Sequence, residues 1–226
     1  MKKVKILTAF ILLAAAVIGI VFYMNIGGAR VRLTAGSQAE IPVQTTDSSI
    51  LIVYFTAAEN SDVDVVSSAS VTVVNGVAKG NVRAVADMIK EYTEGDIYSI
   101  QTSVKYPGNG NDLIDYASDE QNKDVRPELT SHIENFDSYD IVFVGYPTWW
   151  YDMPQVMYSF FDEYDFSGKT IIPFNSANGS RFSGTIETIQ KLEPEAEVVT
   201  DGLSVHQNSV SGASEDVEDW LKKLGF

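Results

Sequence analysis

Cysteine is absent from the 226-residue chain, and histidine occurs twice. No disulfide can staple this fold and no cysteine can carry a lipid or ligate a metal, but the absence suits either side of a membrane. His132 in "SHIENF" and His206 in "SVHQNS" have no nucleophile and acid at triad-like spacing, which argues against a hydrolase, and no metal-ligand cluster is visible. Basic residues are scarce, 16 against 31 acidic; five of the former and two of the latter precede Ile50, leaving 11 against 29 and a net charge of −18 from there on. So acidic a region repels nucleic acid and anionic lipid headgroups, and most of the charge serves solubility.

Charge is missing altogether from Ile6 to Ile26, about 21 residues, enough to cross ~30 Å of hydrocarbon as a helix. An uncleaved membrane anchor is the expectation. The rival is a cleaved signal peptide, whose apolar core is only ~7–15 residues and ends at a small-residue site; "AGSQA" near position 39 comes late for that. Lys2, Lys3 and Lys5 before the span and Arg30 and Arg32 after it give a weak positive-inside bias, with a cytoplasmic N-terminus and an extracytoplasmic domain. The expected organisation is a membrane anchor over 1–28, a Ser-, Thr-, Ala- and Gln-rich tether over 29–49, and one domain over 50–226.

What the chain does have, from Ile50 onward, is an alternation of short β-rich apolar runs with longer segments of helical period, which predicts βαβ units around a parallel sheet. Strands are expected at 50–55, 96–102, 140–146, 169–175 and 197–202, and helices starting near Asn81, Asn111, Pro154, Gly184 and Ser214. The last helix has Ser214 as N-cap, early acids and late lysines, as its dipole favours, and an apolar stripe of Val217, Trp220, Leu221 and Leu224 that puts Trp220 in the core. Right-handed crossovers leave few topologies for five strands. The commonest at this size has the order 2-1-3-4-5, with its ligand crevice outside the carboxyl ends of the first and third strands.

Two loops therefore carry the argument, and a third assists. After the first strand, Thr56 offers a hydroxyl and Gly80-Asn81 opens a helix whose free N–H groups suit a phosphate, although plain helix capping explains the same pair. Asn75-Gly76 reads as a hairpin turn between them. After the third strand, "GYPTWWYDMP" places Tyr146, Pro147, Thr148, Trp149, Trp150 and Tyr151 in one stretch. Its aromatic rings stack on a flat heterocycle at roughly 1–3 kcal/mol each, unless they plug the end of the sheet, as one tryptophan is expected to do. After the fourth strand, Asn175, Ser176, Gly179 and Ser180 supply small and amide groups for the polar edge of a ring system, or form a simple Gly-rich turn. A phosphate end beside a planar end suggests flavin mononucleotide (FMN).

The blocks "ILIVYFTAAEN", "KGNVRAVADMI", "YPGNGNDL", "RPEL", "YDIVFVGYPTWWYDMPQVMYSFFDEYDFSGKTIIPFNSANGS" and "EDVEDWLKKLGF" resemble the flavodoxin-like proteins of anaerobic and gut bacteria over essentially Ile50 to Phe226. The resemblance implies an α/β flavodoxin-like three-layer sandwich, an FMN site and electron transfer. It matches Thr56, Gly80 and Asn81 to the phosphate loop, Pro147, Thr148, Trp149 and Trp150 to the ring loop, and Asn175, Ser176, Gly179 and Ser180 to the third loop. Two departures stand out. Residues 57–79 separate the strand from the Gly-Asn pair, and Val82 stands where the family carries threonine, a loss worth on the order of 1.5–3 kcal/mol if that hydroxyl meets a phosphate. Arg83 offers a charge-assisted substitute or is a solvated helix residue. Asp152 is the candidate for tuning the flavin's potential: a carboxylate ~8 Å away at an effective dielectric of ~20 disfavours added negative charge by about 2 kcal/mol. The implied partners are a redox protein or a quinone near the membrane. The alternative is an exported binding or scaffold domain that keeps the fold without FMN.

Overall fold

The computed structural model describes residues 21–26, 29–34, 49–63, 65 and 70–226. Most of the expected membrane span, residues 6–20, lies outside them. Its last six residues form a strand, β1 (Val21–Ile26), paired antiparallel with β2 (Ala29–Thr34), so the span does not continue as a helix to Ile26. Among the described residues no helix is long and apolar enough to cross a membrane.

From Ile50 the elements are β3 (Ile50–Tyr54), β4 (Val71–Val74), β5 (Val77–Gly80), α1 (Asn81–Thr93), β6 (Asp96–Ser99), α2 (Gly110–Asn122), β7 (Ile141–Pro147), α3 (Gln155–Glu163), β8 (Thr170–Ala177), α4 (Thr185–Leu192), β9 (Glu197–Val198), β10 (Leu203–His206) and α5 (Ser214–Leu224). The central sheet runs β10-β8-β7-β3-β6, all parallel, with β9 also on β8. Strands covered on both faces need no polar alternation, and β3 shows this. Leu51, Val53 and Phe55 enter one core with α2, α3 and α4, while Ile52 and Tyr54 enter the other with α1 and α5. Trp220 is buried in the second core, its Nε1 donating to the Asp201 carbonyl at 2.7 Å.

Three local outcomes differ from the sequence expectation. The fifth strand, expected over 197–202, is split: Glu197–Val198 pairs with Thr170–Ile171, and the edge resumes only at Leu203. Val199 N–H donates to the Ile171 carbonyl, so odd-numbered residues of β8 face this edge, and Pro173 has no N–H to offer there. Gly202 passes so close that a Cβ on it would fall 2.6 Å from the Pro173 carbonyl oxygen. The second core strand ends at Ser99 rather than 102. Ser214 is the first residue of α5 and not its cap; Ala213 precedes it without a side-chain hydrogen bond. The β4–β5 hairpin turns through Asn75 and Gly76 at φ 52° and 79°, the left-handed pair that a two-residue hairpin demands.

Candidate functional site

The carboxyl ends of β3, β7 and β8 carry the three loops, and specific contacts join them. At the first loop, Thr56 is buried and caps a 3-10 turn over Ala57–Glu59, its Oγ1 accepting from Ala58 N–H at 3.4 Å. Gly80 lies against it, and a Cβ there would sit 2.4 Å from Thr56 Oγ1, so only glycine lets α1 start so near the strand end. Asn60, also buried, pins the turn through Nδ2 to the Thr56 and Ile100 carbonyls and through Oδ1 to Thr102 N–H.

This end supplies its own charges. Glu59 accepts hydrogen bonds from Tyr54 Oη at 2.9 Å, Ser99 Oγ at 2.5 Å and Arg83 at 3.3 Å. Arg83 also donates to Tyr54 Oη at 2.7 Å and, through Nε, to Asp87 at 2.6 Å, while Lys79 meets Asp87 at 2.7 Å. The Glu59 and Arg83 side chains are each only 12% exposed. Burial, reinforced by the Glu59 charge, pushes the Tyr54 hydroxyl well above its ordinary range. Arg83 is thus neither a free phosphate ligand nor a solvated residue, but the centre of a half-buried network. Asn81 donates its backbone N–H to the Ser70 carbonyl at 2.8 Å. Val82 is 2% exposed and packs in the α1 core, which removes it from any binding surface.

At the second loop the two tryptophans divide. Trp149 is half-buried and edge-on to Phe55 and Tyr106, with ring centroids at 5.7 and 5.5 Å, so it plugs the sheet end. Trp150 is 49% exposed and tethered by Nε1 to the Ile114 carbonyl at 2.9 Å, and Tyr151 is 74% exposed. Both sit at the tip of a tight turn closed by reciprocal Trp149–Asp152 backbone bonds of 2.9 Å, with φ of 48° and 64°. Such φ values are costly for bulky residues, and strain of this kind gathers at functional sites. Tyr146 is fully buried, bonded to Thr185 at 2.8 Å, and belongs to the core. Asp152 accepts from Met153 N–H and Tyr158 Oη, both at 2.8 Å, so its carboxylate anchors the turn to α3.

The third loop is tied to the second. Thr148 N–H donates to the Ser176 carbonyl at 3.0 Å, Thr148 Oγ1 to the Arg181 carbonyl at 2.8 Å, and Asn175 Nδ2 to Thr148 Oγ1 and the Arg181 carbonyl at 2.7 and 2.8 Å. Pro147, Asn175 and Ser176 are buried, Gly179 turns the exposed crest at φ 86°, and the Ser180 carbonyl accepts from Ser183 N–H. Asn175 Oδ1 and Ser176 Oγ are buried with no hydrogen-bond partner, which native interiors rarely tolerate. Uncommitted polar atoms beside an exposed aromatic turn suit a planar ligand with a polar edge.

Sequence reasoning passed over Glu59, Tyr54 and Ser99; the two acids Glu59 and Asp87 flanking a lone arginine were the available signal. It also passed over Glu120, buried under Tyr106 Oη at 3.2 Å, whose carboxyl is pushed up by burial. A cavity of about 430 Å³ along α2, lined by Asp112, Asp115, Tyr116, Asp119 and Glu120 among others, shares no residue with the three loops.

A family model described as Flavodoxin matches residues 70–224, more than half of the chain. Among solved structures, a candidate flavoprotein of Bacteroides uniformis is 26% identical with a TM-score of 0.59, covering 76% of this chain and 97% of that one. A candidate flavoprotein of Bacteroides eggerthii is 24% identical with a TM-score of 0.60, covering 80% and 99%. A flavoprotein of Lactobacillus acidophilus, solved in complex with FMN, shares the fold at 14% identity and a TM-score of 0.51, covering 76% and 97%. No curated protein matches the chain.

Proposed function

Since the chain belongs to the flavodoxin family, we propose that it is an FMN-binding electron-transfer protein or FMN-dependent oxidoreductase, tethered to a membrane by its N-terminal segment. The observation that carries the reading is the buried, unpartnered Asn175 Oδ1 at the sheet end beside the aromatic turn, with Ser176 Oγ likewise unpartnered on the opposite face of β8. Asn175 Oδ1 accepts from the polar edge of the flavin ring, with Thr148 fixed between Asn175 and Arg181, and Ser176 Oγ meets the ligand from the other face of the sheet end. Trp150 and Tyr151 offer the exposed rings, and Trp149 backs the site from the core side. Thr56, Gly80 and Asn81 form the phosphate end, where glycine lets the start of α1 pack directly against Thr56. When bound, the isoalloxazine supplies the redox chemistry; the protein binds, orients and shields it.

Membrane attachment rests on the uncharged run that begins at Ile6, of which residues 21–26 pair as a strand, and an extracytoplasmic domain on the lysines before it. The electron partner is a redox protein or a quinone. A second reading, a scaffold domain that has lost FMN, is favoured by Val82 in the core and by the internal charge network of Glu59 and Arg83. The test is a visible spectrum and FMN titration of the purified full chain. Bound flavin with quenched fluorescence at micromolar or tighter affinity supports the first reading; no binding at millimolar FMN selects the second.

A further inference from the structure

The Glu59 carboxylate is held as a ligand is held. It comes from a three-residue turn and is met by donors from three other elements: Tyr54 Oη of β3, Ser99 Oγ of β6 and the guanidinium of Arg83 in the first turn of α1. Two hydroxyls and a guanidinium are a recurrent recipe for binding an oxyanion. The site also lies one turn from the proposed phosphate end. Thr56 and Glu59 belong to the same short turn, and Gly80 and Arg83 to the same helix start, so Thr56–Gly80 and Glu59–Arg83 are successive rungs between the two. Charge is balanced here: Lys79 and Arg83 against Glu59 and Asp87. A phosphate dianion arriving at the neighbouring rung finds its nearest guanidinium already engaged and a carboxylate beside it.

We propose that Glu59 is an internal stand-in for a phosphate, filling an oxyanion site formed by Tyr54, Ser99 and Arg83, and that a phosphate monoester entering at Thr56–Gly80 competes with it for Arg83. Glu59 is thereby a specificity-determining residue that lowers the preference for a phosphorylated ligand over its dephosphorylated form. This second clause rests on the flavin reading; the first does not.

The two clauses are tested separately. For the first, Glu59→Ala and Glu59→Gln are melted in the full chain with inorganic phosphate and with chloride at equal ionic strength. The expected result is a lower Tm for Glu59→Ala in chloride, raised by ~5 °C in ~50 mM phosphate if the vacated site binds with a millimolar Kd, while the native chain gains less from phosphate than the variant does. Glu59→Gln, which removes the charge but leaves the side chain in the site, is expected to gain a smaller phosphate response and serves if the alanine variant does not fold. Equal phosphate and chloride melts for both variants, or an equal phosphate response in the native chain, overturn the proposal. For the second clause, FMN and riboflavin are titrated into native and Glu59→Gln chains. A ratio of FMN to riboflavin affinity that rises ~10-fold in the variant supports it, and an unchanged ratio overturns it. Absence of binding by either flavin sinks the flavin reading and this clause with it, while the phosphate melts still decide the first.

Discussion

The two ends of the candidate site are built to opposite rules. At the phosphate end every charge is answered from within: Glu59 by Tyr54, Ser99 and Arg83, and Asp87 by Arg83 and Lys79. At the ring end Asn175 Oδ1 and Ser176 Oγ are buried without partners, and Trp150 and Tyr151 stand exposed in left-handed conformations. One end is closed on itself, and the other keeps polar atoms and rings for the proposed flavin to engage. Flavin selectivity by this chain is therefore expected to come chiefly from the ring.

The largest effect should come from breaking the closed end. Arg83→Met leaves Glu59, whose side chain is 12% exposed, without its cation while Asp87 keeps Lys79, and is expected to cost about 3 kcal/mol, read from urea midpoints at constant m. At the open end, Ser176→Ala removes an orphaned hydroxyl, so stability without flavin should stay within ~0.5 kcal/mol of native while flavin affinity falls about 5-fold. A loss of stability equal to that of Arg83→Met would erase the contrast. Tyr151→Gly relieves a side chain at φ 64° that is 74% exposed, and should stabilise the apoprotein by about 0.5 kcal/mol after the entropy cost of glycine.

The smallest effect lies outside the site and calibrates it. Burial first, then Asp165 and Asp162, raise the Glu193 carboxyl to about 7. A raised pKa means that the folded chain holds the proton longer than the unfolded one. Its contribution is therefore complete below the ordinary glutamate range and is lost as pH rises through about 7. Glu193→Gln should flatten that slope in Tm against pH and leave flavin affinity unchanged.

Fold class was legible because its signal is local. Apolar runs of strand length alternate with helical periods, and the Asn75-Gly76 turn and the helix starts at Asn81 and Ser214 fall within a residue or two of their expected places. The edge strand was misread because its break depends on Pro173, on a neighbouring strand about thirty residues away in sequence. The site was half legible. Glycine against Thr56 and a plugging tryptophan follow from residue type, whereas the Glu59 network joins positions 54, 59, 83 and 99, which only the topology brings together. Asp152 adjoins the tryptophans in sequence, and its carboxylate also accepts from Tyr158 Oη, a tie that only the fold reveals.

The interrupted edge has a consequence for life at high concentration. An open sheet edge is a template on which another chain can add a strand, and proteins commonly blunt it with prolines, bulges or short segments. Here the outer side of β8 is covered by only two residues of β9 and four of β10, with Gly202 squeezed past Pro173 between them. The opposite edge, β6, offers four. Neither rim presents a run long enough to propagate a ladder into a second molecule, and the same kink that spoils the strand guards the chain against edge-to-edge assembly.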